Sequence, residues 1–464
     1  MRASSPRMAR ELTLGLALLS LHCAHGGTPP VWLPSPNQAS RVLGLTSEAR
    51  DFFVIGAFSG AMDWEGQTPV SRGAEDVFVA RLEPSGTVRW LRHLGGAGQD
   101  TGDAVTLSTE DSLIAVGMFS GRADFGAVSL QGQGDSDCFV GKLAREDGRV
   151  LWARGFGGQG GVMSCRSVAS DASGDLFVTG RFEGTVAPGL EQLRSAGMSD
   201  LFLLKLSGRD GALQWARRFG GAGEDIGRDV AVAPSGTVIL TGLFAQGVAP
   251  EPGAIDFGTG RLMSQGDADA FLAAFSPGDG HALWARSFGG PTYDQSKSVV
   301  VAEDGGIYLT GLFQREDVTP GADGILFTAG GFEGFLAGFS SLGAERWRHR
   351  WPAMVSGHSL ALAPGGQLVL AGHFEGTLEL GPGVTVESQG KSDALVAGFS
   401  TTGEPLWARR FGGTRNDYGY AVAASREDVV AGGLLTRPGE GEHPSLSTSF
   451  IARLRTAVLG MHRE

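Results

Sequence analysis

The feature that most constrains the fold is a repeat that runs through nearly the whole chain. An apolar run ending in Gly-x-Phe, or a close variant of it, occurs seven times in the 464 residues. The glycines of the seven copies are Gly56, Gly117, Gly180, Gly242, Gly311, Gly372 and Gly432. Successive copies are about 60–69 residues apart, and such a nearly constant spacing predicts seven structural units of one kind.

Two further motifs recur between these glycines in a fixed order. The first resembles Asp-x-Phe-Val-x-x-Leu, and its copies begin at Asp76, Asp137, Asp200, Asp269, Glu333, Asp393 and Ser449. The second resembles Trp-x-Arg-x-Phe-Gly-Gly, and its copies begin at Trp90, Trp152, Trp215, Trp284, Trp347 and Trp407. Motifs that recur once per unit indicate structural positions that every unit needs.

Each unit has the pattern of four short strands. In the fourth unit, the alternating segment Asp229–Ala233 ends at a Pro-Ser-Gly turn, and TVILTGLF, DAFLAAF and HALWARSF follow. Strands of this length, separated by Gly, Pro, Ser and Asp, are typical of antiparallel sheets. Seven such units predict an all-β fold, a seven-bladed β-propeller with four antiparallel strands per blade, which closes into a ring and so removes most exposed sheet edges.

The segment from Gly220 to Gly242 resembles the bacterial β-propeller repeat family called SBBP. The similar pattern is Gly-Gly-x-x-x-Asp, then Val-Ala-Val, a Ser-Gly turn and an apolar strand ending in Thr-Gly. The resemblance covers roughly residues 40 to 455 and implies the propeller fold. It implies no particular activity, because the family has none in common.

The last unit lacks a Trp strand of its own. Trp32 precedes Trp90 by nearly the length of one repeat. We therefore expect residues 30–34 to supply the fourth strand of the seventh blade, within a linker of residues 24–40 that precedes the propeller of residues 41–464. The alternative is a self-contained seventh blade that uses Thr456–Gly460.

The segment from Met1 to Cys23 has the pattern of an export signal. Arg2, Arg7 and Arg10 precede the apolar run Leu12–Leu21, which is too short to span a bilayer but fits a signal peptide. The tetrad Ser-Leu-His-Cys that ends at Cys23 resembles a bacterial lipobox, which implies lipidation of that Cys. We expect an exported envelope protein, anchored by lipid in the outer membrane; the alternative is ordinary cleavage and secretion.

Only two cysteines follow Cys23. Cys138 and Cys165 lie in neighbouring repeats, and the sequence does not give the distance between them. An exported chain permits a disulfide. Buried cysteines also behave as small apolar side chains. We expect two buried free thiols, with a disulfide as the alternative.

The repeated arginines of Trp-x-Arg are candidate site residues. In a strand, residues two apart share a face. We expect one structural Arg–Asp pair per blade beside each Trp, and a ring of arginines for anions is the alternative. These arginines are Arg92, Arg154, Arg217, Arg286 and Arg409, with His349 at this position in the fifth unit.

A second repeated acid follows the Gly-Gly pair, at Asp100, Asp225, Asp294 and Asp417. We expect each of these carboxylates to fix the turn between two blades by accepting a hydrogen bond from the backbone two residues further on. The alternative is Ca²⁺, which takes six to eight oxygen ligands. No other cofactor or metal is expected.

The composition narrows the function without fixing it. The formal net charge is −12 and no basic run occurs, which disfavours a nucleic-acid partner. The nine His have no spacing typical of metal ligands, and no Gly-x-Ser-x-Gly motif occurs, so we name no catalytic residue. The longest loop, Phe244–Gly266, leads us to expect any site on the face with the longer loops.

We therefore expect a monomeric, non-enzymatic binding or scaffolding module at the bacterial envelope, with a protein or glycan partner on that face. The membrane would be reached only through the lipid anchor. The alternatives are a glycan-active hydrolase or lyase at the mouth of the channel, and a purely structural surface protein.

Overall fold

The computed structural model describes residues 31–32, 39–48, 50–109, 111–189, 192–245, 253–315, 331–437 and 446–455. These residues form 36 β-strands and no helix, so no helix among them could cross a membrane. Seven groups of four antiparallel strands form the seven blades of a β-propeller: six are separate four-stranded sheets, and the remaining group is part of a six-stranded sheet. The signal segment and Thr456–Gly460 lie outside the described residues.

The blades follow one another along the chain, and their strands run from the centre of the ring outwards. The innermost strands are β2 (Ser40–Glu48), β6 (Thr101–Ser108), β12 (Val162–Ser170), β18 (Asp225–Val232), β24 (Asp294–Val301), β28 (Met354–Ala363) and β34 (Tyr418–Ala424). The second strands are β3 (Asp51–Phe58), β7 (Ser112–Phe119), β13 (Leu176–Glu183), β19 (Val238–Ala245), β25 (Ile307–Gln314), β29 (Gln367–Phe374) and β35 (Asp428–Arg437). Adjacent innermost strands contact each other around a closed ring, including β34 with β2.

The outer half of each blade carries the two other repeated motifs. The third strands are β4 (Asp76–Leu82), β10 (Asp137–Ala144), β16 (Asp200–Leu206), β22 (Ala268–Phe275), β26 (Phe332–Phe339), β32 (Asp393–Phe399) and β36 (Leu446–Arg455). The outermost strands are β5 (Val88–Gly96), β11 (Val150–Phe156), β17 (Leu213–Phe219), β23 (Ala282–Phe288), β27 (Glu345–Trp351), β33 (Pro405–Phe411) and, for the seventh blade, β1 (Val31–Trp32).

The two ends of the chain meet in the seventh blade. Strand β1 pairs antiparallel with β36, with Val31 opposite Ala452 and Trp32 opposite Ile451. The N-terminal segment thus supplies the outermost strand of a blade whose other three strands come from the C-terminal end. A second link joins Ser40 of the first blade to Ser449 through their hydroxyls, 2.9 Å apart.

Within the described ranges, four blades carry an additional hairpin between their second and third strands. In the long loop of the fourth blade, Ile255 and Phe257 are buried, and Phe257 stacks against Phe219 and Phe271 with ring centroids 5.1 and 5.0 Å apart. The described part of this loop therefore completes the core. The hairpins are β8 (Arg122–Phe125) with β9 (Val128–Gln131), β14 (Thr185–Val186) with β15 (Leu193–Arg194), β20 (Ala254–Asp256) with β21 (Arg261–Met263), and β30 (Thr377–Gly381) with β31 (Val384–Glu387).

Every innermost strand contains a β-bulge, and the repeated Gly of the second strand lies opposite it. In the fourth blade the register passes from Gly227–Gly242 to Asp229–Thr241, which leaves Arg228 as the extra residue. A Cβ at Gly242 would lie 1.9 Å from the carbonyl oxygen of Ile226, so only Gly fits there. The repeated Gly is thus a steric consequence of the bulge.

The same relation corrects one position of the predicted repeat. In the seventh blade the glycine opposite the bulge is Gly433, which pairs with Gly419, and its Cβ would lie 1.9 Å from the carbonyl oxygen of Tyr418. The apolar pattern predicts Gly432, one residue earlier. Two adjacent glycines leave the sequence register ambiguous, and the bulge resolves it.

Five of the six repeated tryptophans tie one blade to the next. Trp90 packs on Gly148, a positive-φ residue (φ 70°) in the turn between the third and fourth strands of the following blade. A Cβ at Gly148 would lie 2.6 Å from the indole ring. The same contact recurs for Trp152 on Gly211, Trp215 on Gly280, Trp284 on Gly343 and Trp347 on Gly403.

The prediction of an Arg–Asp pair beside each Trp names the wrong arginine. Each arginine of Trp-x-Arg donates from Nη1 to the carbonyl of the residue before it, as Arg217 does to Ala216 at 2.9 Å. The buried Asp200 is instead bound by Arg218, at 2.5 Å, and Asp393 by Arg410, at 2.7 Å. Because side chains alternate along a strand, the residue after Arg217 faces the carboxylate and Arg217 does not.

The expectation of free thiols is also wrong. Cys138 of β10 and Cys165 of β12 form a disulfide, with Cα atoms 5.2 Å apart, and the bridge joins the second blade to the third. The two positions lie in different repeats, and only the packing of adjacent blades brings them together.

We predict that Trp152→Ala lowers the free energy of unfolding by about 3–5 kcal/mol, because it empties a buried contact between two blades. Leu151→Ala is the matched control, since Leu151 is the adjacent residue of the same strand and is 42% exposed. That control should change stability by about 0.5 kcal/mol or less. Urea denaturation measures both, and equal stability of the two variants would contradict the role of the tryptophan.

Candidate functional site

The seven bulges place one extra side chain per blade at the wall of the central channel. We call these residues the channel ring. All seven are half-buried. In blade order they are Leu43, Asp103, Arg166, Arg228, Lys297, His358 and Tyr420.

A cavity of about 430 Å³ adjoins the channel ring. Each innermost strand contributes to its wall from the bulge towards the strand's C-terminal end, as residues 43–47 of β2 do. Those ends lead into the short turns, such as the one between β18 and β19. The sequence predicted a site on the longer-loop face, whereas this cavity lies in the half of the channel nearer the short turns.

Three successive blades contribute cations to the ring. Arg166 pairs with Asp103 at 3.1 Å, and Lys297 donates from Nζ to Ser356 Oγ at 2.9 Å. Burial lowers the pKa of Lys297 to about 7, and the charge of Arg228 pushes the pKa in the same direction.

Arg228 is hydrogen-bonded to the side chain of Tyr293 and lies within electrostatic reach of Glu224. Burial lowers the pKa of Arg228 and Arg166 adds to that effect, whereas Tyr293 and Glu224 act against it.

Asp229 follows Arg228 and is held in place by four hydrogen bonds. Its carboxylate accepts bonds from the hydroxyls of Ser167, at 2.6 Å, and Ser298, at 2.9 Å, one on each neighbouring blade. The amides of Val230 and Val299 donate to it at 2.9 and 2.8 Å. Burial raises the pKa of this carboxyl, and these hydrogen bonds act against the rise. The wall is therefore cross-linked by polar groups and pre-organised.

The next two blades contribute aromatic, uncharged side chains to the ring. His358 Nε2 lies 3.1 Å from His373 Nδ1, and the ring of His358 meets Tyr420 edge-on at 5.2 Å. Burial lowers the pKa of His358 well below its ordinary value and that of His373 to about 3, with Lys297 acting in the same direction. Both imidazoles are therefore neutral near pH 7.

This arrangement can bind an anion. Half-buried cations that face one another are destabilised by lost hydration and by mutual repulsion, and a bound anion relieves both. Arg228 also offers several N–H donors, which suit the oxygens of a carboxylate or phosphate.

The residues singled out in the sequence lie elsewhere. The repeated tryptophans and Trp-x-Arg arginines are on the outermost strands, and the structure does not bring them together. Three of the arginines lie over the face of the Trp two residues before, as Arg92 does over Trp90 with 5.9 Å between the guanidinium carbon and the ring centroid.

The four repeated acids lie between blades, and the hydrogen-bond donor of each differs from the expectation. Each accepts the N–H of the glycine four residues earlier, rather than one two residues on, because the chain turns back over the carboxylate. The bonds are Gly96 to Asp100 at 2.6 Å, Gly221 to Asp225 at 2.7 Å, Gly290 to Asp294 at 2.5 Å and Gly413 to Asp417 at 2.7 Å.

Each of these acids also has a carboxylate neighbour on the preceding blade. Burial raises the pKa of Asp225 to about 7, and the nearby charge of Asp200 adds to the rise. Burial likewise raises the pKa values of Asp100, Asp294 and Asp417 to about 6, each beside a third-strand Asp. Within the described ranges there is no group of three or more His, Cys, Asp or Glu that could hold a metal, and Ca²⁺ at these acids stays a prediction.

Sequence reasoning missed the channel ring, although the signal is present. The segments GDAV, CRSV, GRDV, SKSV, GHSL and GYAV align across the repeats. Their second position varies between acidic, basic and aromatic residues, while the first position stays small and the fourth stays apolar. A variable position within a regular repeat marks a place that the fold leaves free.

Comparison with known proteins finds only partial similarity. No family model matches the chain, so membership of the SBBP family stays a prediction. The chain is 27% identical over 178 residues to regulatory protein FlaEY of Caulobacter vibrioides, which covers 36% of this chain and only 18% of that protein.

Solved structures that resemble the fold differ widely in kind. Quinohemoprotein alcohol dehydrogenase ADHIIG from Pseudomonas putida HK5 matches 94% of this chain and 77% of its own, with 10% identity and a TM-score of 0.45. The Pan2 WD40 domain of Neurospora crassa matches 89% of each chain, with 8% identity and a TM-score of 0.45. Neither likeness bears on the activity of this chain.

We predict that Asp225→Asn gains stability relative to the wild type as pH rises. The raised pKa means that the folded protein keeps a proton that the unfolded chain, with the ordinary value of 3.8, has already lost. The stability from this group is therefore complete below about pH 4 and is lost as pH rises to about 7. The Asn side chain cannot lose that proton.

Urea denaturation between about pH 4.5 and 7 measures the free energy of unfolding of Asp225→Asn and of the wild type. The difference between the two should change in favour of Asp225→Asn by up to about 1.4 kcal/mol per pH unit. Asp267→Asn is the control, because Asp267 is an exposed acid of a comparable loop. A stability difference between Asp225→Asn and the wild type that does not change with pH would contradict the raised pKa of Asp225.

Proposed function

We propose that this chain is an exported, non-enzymatic binding propeller that holds an anionic ligand in its central channel. The observation that carries the proposal is the group of three cations, Arg166, Arg228 and Lys297, on successive blades around one cavity. Its volume of about 430 Å³ lies in the range of small-molecule sites. A protein or glycan of the cell envelope that carries an acidic group would fit this site.

The disulfide supports export. Disulfides persist in oxidising compartments such as the periplasm and the cell surface, and they are rare in the cytosol. Together with the signal-like segment and Cys23, the Cys138–Cys165 bridge favours a protein anchored by lipid at the cell envelope. The similar Caulobacter protein is named a regulatory protein, which is compatible with a role without turnover.

A glycan-active enzyme is the second candidate, and one observation favours it. Burial lowers the pKa of Lys297 to about 7, which suits a general base at neutral pH. Lys297 lines the same cavity as Tyr420, which has a hydroxyl that can donate a proton. Product formation from an acidic glycan that stops in Lys297→Gln would favour the enzyme over the binding protein.

We predict that inorganic phosphate raises the melting temperature of the purified protein, because a ligand that binds only the folded state stabilises it. Arg228→Gln should weaken phosphate binding about tenfold or more, since a charge-assisted hydrogen bond contributes about 1.5–3 kcal/mol. The variant without phosphate serves as its own reference, because the substitution also removes the hydrogen bond between Arg228 and Tyr293.

Arg209→Gln is the matched control, because Arg209 is exposed in a turn of the third blade. It should respond to phosphate as the wild type does. Titrations at constant ionic strength separate binding from general salt effects. An unchanged melting temperature in the wild type, or a normal phosphate response in Arg228→Gln, would overturn the proposed site.

A further inference from the structure

Two adjacent parts of the channel ring differ in their chemistry. Arg166, Arg228 and Lys297 come from the third, fourth and fifth blades. His358 and Tyr420 come from the sixth and seventh, and they line the same cavity. A small inorganic anion would contact only the cations. The aromatic side chains therefore indicate the chemistry of the rest of the ligand.

The aromatic part is a packed group of four rings. Tyr418 and Tyr420 are nearly parallel, with an interplanar angle of 8° and centroids 5.8 Å apart. His373 meets Tyr418 edge-on at 4.8 Å, and His358 meets Tyr420 in the same way. Tyr418 and His373 thus support, from behind, the two rings that reach the cavity. A rigid aromatic surface of this kind loses little conformational entropy when a ligand packs on it.

The protonation states keep this part uncharged. Both histidines are neutral near pH 7, because burial and the charge of Lys297 oppose their protonation. Burial raises the pKa of Tyr420 to about 12, and Tyr418 adds to that rise. Neutral rings with N–H and O–H groups at their edges suit a ligand surface that is apolar on one face and hydroxylated at its rim.

We propose that the channel ligand is a carboxylate-bearing sugar, a uronate unit, with its carboxylate between Arg228 and Lys297 and its C–H face against Tyr420 and His358. The pyranose ring of a uronate is a chair with a C–H face that packs on an aromatic ring, and its carboxylate extends from one side of that ring. The proposal rests on the proposed function, since it names the chemical class of the ligand for the same cavity.

The sugar could be free or could end an acidic glycan. The cavity extends from the channel ring towards the short turns, so a chain end would enter from that face. The volume of about 430 Å³ leaves room for one or two sugar units. The carboxylate and the sugar ring are common to both sources, and the experiment below distinguishes them.

The experiment is isothermal titration calorimetry of the full protein with D-galacturonate, acetate and D-galactose. We expect D-galacturonate to bind at least about tenfold more tightly than acetate, which has the charge without the ring. We expect D-galactose, which has the same ring without the charge, to bind at least about tenfold more weakly than D-galacturonate. These comparisons need no variant and do not depend on the folding of one.

Variants then separate the two parts of the site. Tyr420→Ala should weaken D-galacturonate binding about tenfold and leave acetate binding unchanged, whereas Tyr420→Phe should keep most of the galacturonate affinity. Unchanged acetate binding also shows that the alanine variant is folded. If Tyr420→Ala does not fold, His358→Gln provides the second test, with the same expected direction. Leu342→Ala, at a side chain that is 73% exposed, is the control.

The outcomes distinguish the two levels of the proposal. If D-galacturonate and acetate bind with equal affinity, the proposal of a uronate ligand is overturned, whereas the proposed anion site is retained. If neither these ligands nor inorganic phosphate binds, both proposals fall. If D-galactose binds as tightly as D-galacturonate, the role of the cations in binding the ligand is overturned. If digalacturonate binds at least as tightly as D-galacturonate, the result supports the end of an acidic glycan as the ligand. If digalacturonate does not bind, the glycan end is overturned in favour of the free sugar.

Discussion

The propeller depends on one steric relation that recurs in every blade. The bulge of the innermost strand presses a backbone carbonyl against the second strand, where only a residue without a Cβ fits. At Gly242 the carbonyl oxygen of Ile226 lies 1.9 Å from the position of a Cβ, and the Phe271 ring lies 2.9 Å from it. Strand pairing at the centre of the blade, packing of the third strand and the position of the bulge are fixed together by this contact.

The same relation separates the scaffold from the site. A bulge residue has no partner in the sheet, so its identity matters little to strand pairing. The fold fixes where Arg228, Lys297 and Tyr420 lie, and it leaves their chemistry free to differ between blades. The motifs of the outer strands differ from the bulge residues in this respect. Trp152 and its equivalents hold adjacent blades together and therefore recur with little change. Closure of the ring brings the seven bulge residues together around one cavity.

The fold could be predicted from the sequence because its signals are local and repeated. The period of the glycines and the four-strand pattern around Trp215 are sufficient for a seven-bladed propeller. The site could not, because Arg228 and Lys297 belong to different repeats and only the closed ring makes them neighbours. The disulfide of Cys138 and Cys165 was missed for the same reason. The partner of Asp200 was assigned wrongly, because a shift of one residue, from Arg218 to Arg217, reverses the strand face.

The most direct test of this account is the stability of Gly242→Ala compared with Gly413→Ala. Neither glycine has a positive φ, and a Cβ at Gly413 would meet nothing within 4 Å. The account predicts that Gly242→Ala lowers the free energy of unfolding by about 3 kcal/mol or more, and that Gly413→Ala changes it by less than about 1 kcal/mol. Urea denaturation that gives both variants the same stability would contradict the claim that the bulge requires Gly.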